Sequence, residues 1–323
     1  MAEPILKFNH VTKRFDDQIS VNDVSFQVNE GEFFVLVGAS GSGKTTTLRM
    51  INRLIDPSSG EIQLRGKSSM EYNLRELRMS IGYVLQGSAL FPNMTVQQNV
   101  TLIPEMRGQS NKTANSLAEE LLQEVDMDPK QYLSKYPKEL SGGEQQRIGI
   151  LRAFAANPQL ILMDEPFSAL DPIARRQLRS LVKRIHENTN STIVFVTHDM
   201  DEALELGDRI AVMQEGNLEQ VGTPDEVVNS PANDFVSQMF ANSLAYDIYG
   251  VYLSKLKLLG YLTDTKKTTV AVPKIKETAT VGDVLDIINE VGEVEIDSED
   301  GSVGYLNQAD LLRSMNDFRE YQR

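Results

Sequence analysis

The chain has 323 residues, with 32 Lys and Arg against 46 Asp and Glu, a formal net charge of −14, and 41% apolar residues. That composition supports a buried core and excludes global disorder. The acidic balance argues against a general nucleic-acid binder, which needs a cationic surplus to meet phosphates. Cysteine is absent, which excludes disulfides and thiolate metal sites and fits a reducing compartment.

The length predicts about two domains at ~150 residues each. Met1–Lys7 lacks the basic-then-apolar pattern of a secretory leader, so a cytosolic location is expected. The apolar runs Phe33–Val37, Leu160–Met163 and Ile193–Val196 are far shorter than the ~18 residues that span a bilayer. Their Val, Ile and Phe content suits strands buried on both faces of a parallel sheet.

In chain order, residues 1–31 alternate apolar and polar, predicting an antiparallel N-terminal sheet that closes on Asn29-Glu30-Gly31. A buried strand at 33–37, a Gly-rich loop and a helix through Thr46–Ile51 follow, the start of a crossover unit. Residues 87–140 turn helical, with Leu117, Leu121, Leu122 and Val125 on one face, and are expected to form a helical subdomain. Ser141 and Glu144 stand at capping-box spacing and predict a helix start. A strand at 160–163, a helix bearing Leu178, Leu181, Val182 and Ile185, a strand at 193–196 and a helix from about 200 complete a wound α/β core. Thr223-Pro224-Asp225-Glu226 predicts one further helix to about 240. Composition shifts near 246, where tyrosines cluster. A second, smaller domain is expected over 246–323, after a first over 1–245, with a strand at Val270–Val272.

Gly38-Ala39-Ser40-Gly41-Ser42-Gly43-Lys44-Thr45 fits the phosphate-loop pattern and sits between a buried strand and a helix, as that pattern requires. Its glycines let backbone N–H groups converge on a polyphosphate at a helix N-terminus. Lys44 then reaches the β and γ phosphates, the Thr45 hydroxyl takes Mg²⁺, and Thr46 extends the loop. Asp164 and Glu165 follow the strand 160–163, at the edge where parallel sheets place ligands. Asp164 suits Mg²⁺, and Glu165, on the opposite side if the backbone stays extended, suits the polarisation of an attacking water.

Leu140-Ser141-Gly142-Gly143-Glu144-Gln145-Gln146-Arg147 resembles the signature motif of the ATP-binding subunits of ABC transporters, a resemblance that covers about residues 4–240. It implies an α/β phosphate-loop NTPase cassette: a wound parallel sheet with an antiparallel sheet at the N-terminus and a helical subdomain. Within it, Ser168-Ala169-Leu170-Asp171 resembles the D-loop, Gln86 the Q-loop glutamine that meets Mg²⁺ and the γ-phosphate, His198 the switch histidine, and Phe15 the aromatic that stacks on adenine. It further implies a homodimer in which Ser141, Gly142 and Gly143 of one protomer close over ATP held by its partner. Membrane-spanning permease subunits and an extracytoplasmic substrate-binding protein complete the assembly, with this chain peripheral on the cytoplasmic face of the membrane and no nucleic acid bound.

Ile51–Gly60 and Ala89–Val100 are similar to importers of quaternary amines such as glycine betaine, carnitine and choline. Methionine or polyamine import is the alternative cargo, and an ABC ATPase acting on nucleic acid is a rival class. The tail, from Val270 through Asp310-Leu311-Leu312, resembles a single CBS motif, an α+β unit. The resemblance implies either regulation by a nucleotide or ionic strength, or added dimer contact. The acidic run Glu290–Asp300 reads as a solvated face.

Overall fold

In a computed structural model the described residues are 4–87, 89–168, 170–241, 251–263, 265, 266, 268, 272–298 and 302–320. They fall into two compact units, Met1–Val236 and Ser237–Arg323, against a composition shift expected at 246.

Alternation over the first thirty residues yields a hairpin of Leu6–Phe15 (β1) and Gln18–Val28 (β2), antiparallel with Leu6 opposite Val28. The fully buried Phe33–Val37 (β3) follows, then Lys44–Ile51 (α1). Next come Ser59–Leu64 (β4), Lys67–Ser68 (β5), Leu74–Ser80 (α2) and Ile81–Val84 (β6). Val96–Met106 (α3), Asn111–Glu124 (α4) and Pro129–Tyr132 (α5) lie within the stretch read as helical, and Leu121, Leu122 and Val125 are buried there. Gly142–Phe154 (α6) starts at the expected capping box, with Ser141 and Glu144 each bonding the other's backbone N–H.

Leu160–Asp164 (β7), Pro172–Thr189 (α7), Thr192–Thr197 (β8) and Met200–Leu206 (α8) continue the alternation, and all four apolar residues predicted for α7 are buried. Arg209–Gln214 (β9) and Asn217–Gly222 (β10) form a hairpin. The single helix expected to reach 240 is instead two, Pro224–Asn229 (α9) and Asp234–Ala241 (α10). Pro231 follows the Ser230 cap, and a proline biases the residue before it away from helical backbone.

One sheet has the order β2-β1-β4-β5; the central sheet runs β10-β9-β3-β8-β7-β6 and is parallel except at its β10 edge. Phe8, Phe26 and Phe34 stack at 4.5 and 5.2 Å between ring centroids and join the two sheets in one core. Each such burial contributes about 1.5–3 kcal/mol. Because Val37 pairs with Thr197 and Asp164 with Val196, the loops after β3, β7 and β8 emerge together at one carboxyl edge.

The second unit contains Leu253–Leu258 (α11), Lys274–Lys276 (β11), Val281–Val291 (α12), Glu293–Asp297 (β12), Val303–Asn307 (β13) and Gln308–Glu320 (α13). Its three-stranded sheet, order β11-β12-β13, packs its own core of Leu253, Leu256, Val284, Ile288, Val294, Ile296 and Leu306. Of the strand expected at 270–272, Val270 and Ala271 lie outside the described residues and Val272 is not in a strand; β11 starts at Lys274. The acidic run is not simply a solvated face. Glu293 is buried, and Glu295 pairs with Lys274 at 2.6 Å across the β11–β12 register. Among the described residues no helix is long and apolar enough to cross a membrane.

Candidate functional site

The loop after β3 places Ala39, Ser40 and Gly41 at an exposed crest and buries Ser42, Gly43 and Lys44 beneath it. Gly43 has φ +98°, and a Cβ there would stand 2.5 Å from the Ser20 carbonyl oxygen, so only glycine fits this helix entry. At Gly38 a Cβ would stand 2.3 Å from Met213 O. Lys44 Nζ donates to the carbonyls of Gly38 at 2.7 Å and Ala39 at 2.9 Å, curling back over its own loop. Burial lowers the Lys44 ammonium, while the Glu165 and Asp164 charges oppose that shift. Thr46 receives a hydrogen bond from Ser20 at 3.0 Å, which ties the loop to β2.

Thr45 Oγ1 donates to Asp164 Oδ1 at 2.8 Å, bringing together two oxygens predicted from stretches 119 residues apart. Asp164 is buried, and that burial raises its carboxyl; the Thr45 hydroxyl and the Arg49 guanidinium, 3.8 Å away, pull it back. Burial pushes the Tyr83 hydroxyl up to about 12, with Asp164 adding to the shift, so this neighbour stays neutral. A hydroxyl beside a carboxylate is a hard-oxygen donor set of the kind Mg²⁺ takes alongside phosphate oxygens.

Glu165 Oε2 and His198 Nδ1 lie 3.0 Å apart. A carboxylate only accepts, so Nδ1 carries the proton of this bond and Nε2 is left for another partner. The extended geometry expected at Glu165 does not persist: its φ is +44°, and its N–H bonds to Val196 O at 3.0 Å. The chain turns sharply there, and this turn aims the carboxylate at the β8 loop. A non-glycine residue in this backbone region is uncommon, and such strain concentrates at functional sites.

Gln86 lies two residues beyond β6, exposed, past the same sheet edge as Asp164. Phe15 ends β1, 45% exposed, with Lys13 Nζ 4.9 Å from its ring centroid. Ser141 and Gly142 are exposed, and a Cβ at Gly143 would lie 3.7 Å from Ala174 Cβ. The signature turn therefore stands beside the start of α7, and no described hydrogen bond joins it to the phosphate loop of the same chain. Asp171 caps α7, accepting from the N–H groups of Ile173 and Ala174 at 3.0 Å each, and these bonds lower its carboxyl.

The α6 entry carries a pH-sensitive element. Tyr132 donates to Glu144 Oε1 at 2.6 Å, and that bond, followed by those from Ser141, holds the Glu144 carboxyl below its usual range. Its folded value lies below the unfolded one near ~4.3. The cap thus contributes fully above that pH and is lost as pH falls through the folded value. Tyr132→Phe is expected to move the Glu144 midpoint upward in a carboxyl ¹³C NMR titration, with the acid loss of the cap moving up with it.

Sequence reasoning did not single out Arg49, Tyr83, Arg175, Thr197 or Glu202. Arg49, Arg175, Thr197 and Glu202 are on or beside elements already located, Tyr83 is on the unpredicted β6, and only tertiary placement distinguishes them from ordinary polar groups.

Residues 21–168 match the family description ABC transporter. The chain is 40% identical over 311 residues to the osmoprotectant import ATP-binding protein OsmV of Salmonella typhimurium, an alignment covering 94% of this chain and 79% of that one. The chain belongs to the ABC transporter family. The cassette is also 52% identical over 235 residues to the glycine betaine/carnitine/choline transport ATP-binding protein OpuCA of Bacillus subtilis, covering 72% of this chain. It spans 62% of the length of that relative and 61% of the choline transport ATP-binding protein OpuBA of the same organism. Among solved structures the cassette is similar to MJ0796 in a dimeric post-hydrolysis state bound to ADP and Pi, with TM-score 0.62, 32% identity, and coverage of 68% of this chain and 98% of that one.

Proposed function

We propose that this cassette binds and hydrolyses ATP with Mg²⁺ and thereby energises import of a small solute, a quaternary-amine osmoprotectant of the glycine betaine, carnitine and choline class. The observation that carries the reading is the convergence of three loops at one sheet edge, joining Thr45 to Asp164 and Glu165 to His198 beside the glycine-rich turn. The cargo rests on the names of the relatives, OpuCA and OsmV among them.

In this reading the N–H groups of residues 38–46 and the Lys44 ammonium hold the phosphates, with Phe15 under the adenine. Thr45, Asp164 and Gln86 would hold Mg²⁺, which supplies charge neutralisation between the β and γ phosphates. Glu165 orients and polarises the attacking water, and His198 holds the γ-phosphate through the nitrogen not used by Glu165. Ser141–Gly143 and Asp171 serve the nucleotide of a second copy. The dimeric state of MJ0796 supports a paired arrangement. The assembly works at the cytoplasmic membrane face with permease subunits and an extracytoplasmic binding protein. The tail acts as a CBS-like unit that regulates the dimer or strengthens it.

Uptake of labelled glycine betaine, carnitine, choline, methionine and spermidine by cells with and without this subunit tests the cargo. Loss of one or more of the three quaternary amines alone is the expected result. Loss of methionine or spermidine uptake alone would replace the cargo while leaving the ATPase reading intact.

A further inference from the structure

The loop bearing His198 is held from beneath by groups that take no direct part in the proposed chemistry. Thr197, buried at the end of β8, donates its hydroxyl proton to Glu202 Oε2 at 2.6 Å. The same hydroxyl oxygen accepts the N–H of Asp199 at 3.0 Å. Asp199 then caps α8 through the N–H groups of Asp201 and Glu202 and faces Arg175 at 3.6 Å. Arg175 donates to the Leu170 carbonyl at 3.3 Å, so this cluster also touches the stretch read as the D-loop. A small cavity lined by Glu165, Ser168, Arg175, Thr197, His198, Asp199 and Glu202 gathers these groups.

Glu202 is 4% exposed, and burial raises its carboxyl against the opposing pull of the Thr197 hydroxyl. Desolvation opposes the charged form of a buried acid, and packing of β8 on α8 does not by itself require one. What an apolar pair lacks is direction. An acceptor-only carboxylate commits the Thr197 proton and leaves the hydroxyl lone pairs for the Asp199 N–H, which fixes the peptide on the far side of His198. The opposing partner is anchored to the same strand, since Glu165 N–H bonds to Val196 O. Both ends of the 3.0 Å Glu165–His198 contact therefore hang from adjacent residues of β8.

We propose that Thr197 and Glu202 are positioning residues that set the orientation of the His198 imidazole toward Glu165 and, on the ATPase reading on which this rests, toward the terminal phosphate. Neither touches the nucleotide. The chain has three histidines, so the His198 ring resonance is readable in histidine-¹³C-labelled full-length protein and assignable by His198→Gln.

Thr197→Val keeps the shape and removes the hydroxyl, Thr197→Ser keeps the hydroxyl, and Glu202→Leu removes the acceptor in case Thr197→Val does not fold. We expect Thr197→Val and Glu202→Leu to shift the His198 resonance and lower kcat for ATP about tenfold, with KM within about twofold, a loss below the full ~10²–10⁴ of a general base. Thr197→Ser should keep the parental resonance and a kcat within about threefold. An unmoved His198 resonance in the folded hydroxyl-free or acceptor-free variant overturns the proposal, because a purely structural role lowers the melting temperature without re-aiming the ring. The resonance needs no nucleotide: a parent that hydrolyses no ATP, with variants that still show the shift, removes the ATPase reading and leaves the orientation of His198 by Thr197 and Glu202 standing.

Discussion

Glu165→Gln is expected to lower ATP turnover by about a thousandfold while leaving ATP affinity within about threefold. A positioned general base contributes roughly 10²–10⁴ in rate, and the amide keeps the size of the side chain but cannot take a proton. The hydrogen bonds of Lys44 and of the Thr45–Asp164 pair do not run through Glu165, so the change removes a nearby charge from them and no contact. The substitution also alters the His198 contact, since the amide can present either oxygen or nitrogen to Nδ1. With hydrolysis slowed, ATP persists between two copies, so the variant should run as a dimer in ATP and as a monomer in ADP on size exclusion. A variant that hydrolyses ATP at the parental rate would remove Glu165 from the chemistry; one that binds ATP poorly would make it a structural residue.

Lys44→Ala should weaken ATP binding by about 10- to 100-fold in calorimetry. Hydrogen bonds to charged groups contribute about 1.5–3 kcal/mol, and each 1.4 kcal/mol is about a factor of ten in affinity. The ammonium here rests on the carbonyls of Gly38 and Ala39, so triphosphate binding exchanges neutral acceptors for anionic ones. Truncation also leaves those carbonyls without this donor, so the loop loses two contacts as well as a charge. Lys44→Arg should rescue only partly, because the planar guanidinium does not fit a buried position that suits a compact ammonium. Affinity unchanged in Lys44→Ala would count against the phosphate-loop assignment.

The central strands β3, β7 and β8 were legible because strands buried on both faces read as unbroken apolar runs. The helices starting after Ser141 and Thr223 were legible because each of these caps has an acidic partner three residues on. Other elements carried weaker signals. In β4 the alternation is confined to Ile62 and Leu64, and β6 has four residues. The β9–β10 hairpin turns on Glu215-Gly216, both at positive φ, where Asn or Asp before glycine would have announced the turn. The candidate site residues were named from local motifs, but the left-handed backbone of Glu165 was not legible there. It is imposed by the bond to Val196 on a neighbouring strand, and that pairing appears only when the sheet forms.

The Phe8–Phe26–Phe34 stack makes the N-terminal sheet an extension of the central one, and Phe15 rides at the tip of the strand that begins in that stack. A base resting on Phe15 would meet a platform already braced, losing little entropy to rearrangement. Its ring has no donor or acceptor, and a π face accepts any purine alike. Discrimination between adenine and guanine therefore has no foothold at this side chain and has to come from other groups around the base.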